Sequence, residues 1–186
     1  VPGNYPMLAT TFLLKNNTNE GKVHFDMFAE MQPKAFAELG MATSAVITDF
    51  NNDTWLDIII VGEWMPIRVF KNMKTEFVEV SEDMGLNSDT RGWWWSIKEG
   101  DMDNDGDMDY IVGNNGLNYK YKATANETFD IFVDDFDKDS NNDIVLSYYN
   151  DGKQYPLRGR QCSSQQIPAI KVLTKRWLKI LIKMAV

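Results

Sequence analysis

The chain has 186 residues, 44% of them hydrophobic and 12% aromatic, enough apolar mass for one domain with a real core. Its formal net charge of −8 conceals a basic tail: residues 167–186 carry Lys171, Lys175, Arg176, Lys179 and Lys183 and no acid, which leaves 14 basic against 27 acidic groups elsewhere. So acidic a body excludes nucleic acid as a partner, speaks against membrane contact and attracts metal cations, while the single cysteine, Cys162, excludes a disulfide framework and a multi-thiolate zinc site.

In chain order, Leu14-Lys15-Asn16 followed by Val23-His24-Phe25 reads as two strands joined by a polar turn. Residues 32–39 are rich in helix formers and predict a short helix. A strand is expected at 45–48, then an acidic turn at 49–57, then an apolar strand at 58–61. Pro66 is expected to open the next strand, a position that tolerates it. Phe70-Lys71-Asn72 with the strand at 77–80 repeats the pattern met at Leu14, so one unit of four short strands runs from about 42 to 80. Further on, 93–97 and 110–112 flank a second acidic turn at 101–109, and 129–133 and 144–146 flank a third at 135–143.

The turns start 52 and then 34 residues apart, and the shorter interval predicts an irregular stretch around 114–126. Residues 167–186 place Ile170, Leu173, Trp177, Ile180 and Leu181 on one stripe with cations opposite, which predicts a basic amphipathic helical tail after a body at 1–166. No apolar run has membrane-spanning length and no signal peptide opens the chain. The start at Val1, within what reads as the second half of a repeat, leads us to expect a fragment of a longer protein.

The three turns share one nine-residue pattern with side-chain oxygens at positions 1, 3, 5 and 9. These are Asp49, Asn51, Asp53 and Asp57; Asp101, Asp103, Asp105 and Asp109; and Asp135, Asp137, Asp139 and Asp143. Oxygens at alternate positions wrap one centre, and hard ligands in that number favour Ca²⁺, with position 7 (Trp55, Asp107, Asn141) adding a carbonyl. Gly106 holds position 6, where a sharp turn needs a permissive backbone; Thr54 and Ser140 replace it in the other two copies. The 101–109 turn is therefore expected to bind best and the 49–57 turn, with an amide at Asn51, to bind weakest. An EF-hand is excluded, since position 12 is Ile60, Val112 and Leu146 rather than a bidentate Glu. A solvated acidic turn accounts for any single copy, but not for three with the same spacing and the same trailing strand.

These turns, with their trailing Ile59-Ile60-Val61-Gly62-Glu63 and Tyr110-Ile111-Val112-Gly113-Asn114, resemble FG-GAP/VCBS repeats, the calcium-loop blades of integrin-α-like propellers. The stretches 61–66 and 100–117 are similar to secreted VCBS-repeat proteins of Bacteroidetes type, often paired with an ASPIC/UnbV region. The resemblance covers about 5–170 and implies an all-β, partial β-propeller of about three to four four-stranded blades, each with its metal loop between the first two strands. It also implies the twelve ligands named above, structural Ca²⁺, an extracellular or cell-surface location, and adhesion or binding of a protein or glycan, with the other blades of the parent chain as neighbours.

Other chemistry is weaker. In a strand, Trp93 and Trp95 face one side and Trp94 the other, and packing explains them better than a sugar platform does. His24 stands alone, so no Ser-His-Asp or Cys-His catalytic set can be assembled and no catalytic residue is assigned. A metal-dependent hydrolase of polysaccharide or phosphoester is the competing reading, but the acids stand at metal spacing and none sits in an apolar setting that would raise its pKa.

Overall fold

The computed structural model describes residues 10–28, 30–86, 90–136, 139–140 and 142–158. The expected tail helix, Cys162, and Asp137 and Asn141 of the third turn lie outside them. The described chain is all-β apart from two 3-10 turns, Lys34–Glu38 and Gly116–Asn118. Its strands are β1 (Leu14–Asn16), β2 (Phe25–Met27), β3 (Met41–Thr48), β4 (Asp57–Met65), β5 (Arg68–Asn72), β6 (Phe77–Glu79), β7 (Gly92–Gly100), β8 (Asp109–Asn114), β9 (Asp130–Asp134), β10 (Asp143–Asn150) and β11 (Lys153–Pro156). Chain contacts divide at Asn115 into a unit carrying β1 to β8 and a unit carrying β9 to β11.

Within the first unit β3, β4, β5 and β6 form an antiparallel meander, the four strands expected between 42 and 80. β4 is its axis. Each of the residues 57–63 is buried, and successive side chains enter opposite layers. Ile58, Ile60, Met65 and Phe70 pack with Phe36 of the 3-10 turn and Leu39 just after it, and Phe36 meets Phe70 edge-on at 5.1 Å. Ile59, Val61 and Val69 pack with Ile97 on the other side, flanked by Val46, Trp94 and Tyr110. The continuous Ile-Ile-Ile-Val run therefore reports a strand covered on both faces. Gly62 lets β3 approach closely: a Cβ there would lie 2.1 Å from the Met41 carbonyl oxygen.

Beyond the meander the expected blades are shorter. The three sheets have two, six and three strands, and none closes. β7 joins the meander sheet at the end of β4, pairing Trp93 with Glu63 and Gly92 with Met65, and β8 pairs only with β7. Thus one four-stranded meander, not three to four, stands among the described residues. In the short interval between the second and third turns lie β8, the Gly116–Asn118 turn, a stretch outside any strand and β9, and no further strand. Pro66 lies between β4 and β5 rather than opening a strand, which suits a residue without an N–H to offer the ladder.

In the second unit β10 is central between β9 and β11. Gln154 bonds both Ser147, wholly buried, and Asp130, crossing all three strands. Tyr121 stacks on Phe129 and tilts against Tyr148 at 4.5 Å.

Arg68 anchors the meander to the 3-10 turn. Its guanidinium takes both Glu79 oxygens, at 2.8 and 2.5 Å, and donates to the Glu38 and Leu39 carbonyls. The Arg68 hydrogen bonds hold the Glu79 carboxyl below its ordinary value of 4.5. A depressed folded pKa contributes stability above the unfolded value that is lost as pH falls through the folded one. Glu79→Gln is therefore expected to lower stability by about 1 kcal/mol at pH 7, a figure discounted for partial exposure. That deficit shrinks in melts run progressively below pH 4.5.

Candidate functional site

Each acidic turn closes a hairpin: 49–57 joins β3 to β4, 101–109 joins β7 to β8, and 135–143 joins β9 to β10. Position 9 is in every case the first residue of the second strand, as Asp57, Asp109 and Asp143. Position 1 folds the turn inward by accepting backbone N–H groups. Asp49 takes those of Asp53 (3.0 Å) and Thr54 (2.7 Å), Asp101 that of Gly106 (3.1 Å), and Asp135 those of Asp139 (3.0 Å) and Ser140 (2.9 Å). Position 9 accepts the N–H of position 2: Met102 to Asp109 at 2.9 Å, Phe136 to Asp143 at 3.1 Å, and Phe50 to Asp57. One frame of hydrogen bonds thus recurs three times.

The frame demands a left-handed backbone at position 6, and φ is 74° at Thr54, 95° at Gly106 and 71° at Ser140. Position 4 repeats it in the two turns where it is described, at 57° for Asn52 and 61° for Asn104.

Electrostatics separate the copies. Asp101, Asp103 and Asp109 bring carboxylate oxygens within 4.8 Å of one another, the one such acidic triad gathered among the described residues, and all three are exposed. Asp105 stands outside that triad and accepts the Asp107 N–H at 2.9 Å. In the first turn Asp57 is wholly buried. Burial pushes its carboxyl above the ordinary range, against the N–H groups of Asn72 and Phe50, and the charges of Asp53 and Asp49 push the same way. This corrects the expectation that no acid stands in a desolvated setting. Cut off from solvent, however, Asp57 has no route to act on a substrate. Asp53 is held low instead, first by the Trp55 N–H and then by Lys71. Asn51 donates its amide to Asp57 at 2.9 Å and turns its Oδ1 inward, buried and without a hydrogen-bond partner. A buried oxygen in that state, beside two aspartates, suits a hard cation.

Two residues outside the acidic pattern also belong here. Asn72 of β5 donates its N–H to Asp57 (2.7 Å) and its amide to the Leu56 carbonyl (3.0 Å), and the Lys71 ammonium lies 3.3 Å from Asp53. The signal was the repeated Lys-Asn: Asn16 accepts the Thr18 N–H as Asn72 accepts that of Lys74. The first two turns are linked by Asn52, which donates to Asp107 at 3.1 Å. His24 pairs with Asp26 at 3.1 Å on the exposed β1–β2 hairpin. Trp93 stacks on Trp95 at 6.0 Å and tilts against Trp64 at 5.3 Å, while Trp94 packs into the core.

The first two turns and the β3–β6 meander fall in a segment, 27–112, that matches the family model for FG-GAP-like repeats. That segment is an FG-GAP-like repeat. No curated protein and no solved structure matches it. The third turn lies beyond the matched repeat yet keeps the same frame.

If the frame dictates position 6, glycine and non-glycine changes there act in opposite directions. Gly106→Ala is expected to cost about 1 kcal/mol, and Thr54→Gly to add about 0.5–1 kcal/mol, because a β-branched residue is strained at positive φ. Urea melts of the two variants beside the parent chain check the sign of each.

Proposed function

We propose that this FG-GAP-like chain is a calcium-binding, extracellular β-propeller module in which Ca²⁺ is structural and the stiffened hairpins present a surface for a protein or glycan partner. The observation that carries the reading is the recurrent turn frame. In the second turn it gathers the carboxylates of Asp101, Asp103 and Asp109, and in the first it leaves a buried Asn51 oxygen without a hydrogen-bond partner. In the first turn Asp49, Asn51, Asp53 and Asp57 would hold the ion; in the second Asp101, Asp103, Asp105 and Asp109; in the third Asp135, Asp137, Asp139 and Asp143. The bound cation neutralises converging carboxylates that otherwise repel, so it ties the first two strands of each hairpin together.

Dissociation constants of roughly 10⁻⁴–10⁻³ M, usual for extracellular calcium modules, suit a calcium-rich exterior. Among the described residues no helix is long and apolar enough to cross a membrane. The role is binding rather than catalysis: the raised carboxyl, Asp57, is sealed in the fold, and His24 has an exposed aspartate for company and no nucleophile.

Thermal unfolding in EDTA, in millimolar CaCl₂ and in millimolar MgCl₂ tests this. The midpoint is expected to rise in calcium, by an amount set by mass action, and to move little in magnesium. Asp103→Asn with Asp109→Asn should remove part of that rise while leaving a cooperative transition. An unchanged midpoint in all three buffers, in a cooperatively folding chain, overturns the reading.

A further inference from the structure

The first and second turns differ in one respect that their shared frame does not explain: among the described residues, only the first has a cation of the protein's own beside its aspartates. The Lys71 ammonium stands 3.3 Å from Asp53 Oδ2. It is held there by its neighbour, because Asn72 docks through its N–H on Asp57 and through its amide on the Leu56 carbonyl. Lys74, across the β5–β6 turn, sets its ammonium over the Trp55 ring at 5.1 Å. Asp53 therefore faces a lysine at the end of β5, and a second lysine covers Trp55 of the same acidic turn. Among the described residues no lysine or arginine pairs with any aspartate of the 101–109 turn. There the carboxylates gather in the open without an internal counter-charge.

We propose that Lys71 is the resident counter-ion of the 49–57 turn, competing with the divalent cation for Asp53, so that this turn stays formed without metal and binds calcium only by displacing the ammonium. The inference rests on the calcium reading of the same turn and adds to it a residue that sets affinity. The physical ground is simple. A tethered ammonium supplies part of the charge that a bound cation would supply, at no cost in association entropy. It also repels a dication that approaches the same oxygen. With its side chain 34% exposed, it is displaceable, because pairs open to solvent are weak.

Trp55, at position 7, offers a readout local to this turn. Terbium, a luminescent stand-in for calcium, is titrated into the full chain with excitation of tryptophan, and Trp55→Phe identifies the emission that belongs to the first turn. Lys71→Met is expected to tighten terbium binding there by roughly five-fold, the upper range for an exposed ion pair. Lys71→Arg, which keeps the charge, should bind like the parent. In EDTA the Lys71→Met midpoint should fall and in CaCl₂ recover, as metal takes over from the lysine. Lys71→Gln repeats the test should the methionine variant fold poorly. Trp55-sensitised binding that is unchanged or weaker in both neutral variants overturns the role of Lys71 and leaves the calcium reading standing. Absence of terbium and calcium binding at every turn of the parent chain overturns both.

Discussion

The constraint on which the first unit depends is a carboxylate, Asp57, buried at the first residue of its central strand. A charge without water must be met by donors, and it is met from three directions: the N–H of Phe50 and the amide of Asn51 in its own turn, and the N–H of Asn72 at the end of β5. Those bonds lock the turn, β4 and β5 in a single register. With that register set, Ile58 and Ile60 face one layer and Ile59 and Val61 the other, and the two halves of the core follow. A shift of β4 by one residue would exchange the layers and strip Asp57 of its donors at once.

The same geometry appears in three hairpins, and the first two meet the same electrostatic problem in different ways. The backbone frame is common, since each position-1 aspartate binds N–H groups of its own turn and each position-9 aspartate opens a strand. What differs is the counter-charge. The first turn is buried at its base and carries Lys71; the second is open and carries none among the described residues; and Asn52 joins the two through Asp107. The recurrence belongs to the backbone, and the variation belongs to what packs beside it.

Much of this was legible in the residues. Alternate acidic positions followed by Ile-Ile-Ile-Val or Tyr-Ile-Val announce a turn and a strand, because spacing and hydrophobic pattern are local properties. The four-stranded unit near 42–80 and the irregular stretch after β8 were likewise readable from repeat length. The alternation separated Trp94 from Trp93 and Trp95, and the structure packs Trp94 against the core and stacks the other two. Less legible was Trp64, which joins that stack from β4 with φ at 62°, at the point where pairing slips between Glu63 and Met65. A bulky residue at positive φ is held there by its surroundings, and no local preference announces it.

By itself, the sequence determined the all-β character, the positions of the turns and the set of oxygens each turn can offer. Propensity, period and charge act over a few neighbouring residues, so these features needed no partner to be read. Only the tertiary structure decided which of those oxygens lie buried, which are gathered, and which already face a cation. Asp53 and Lys71 are distant in sequence, and Asp57 loses its water only when β5 folds across it. Nor could spacing say which strands pair beyond the 42–80 unit, because pairing partners are chosen by what the rest of the chain leaves open. Burial and charge pairing are sums over the whole neighbourhood, and that neighbourhood exists only once the strands have met.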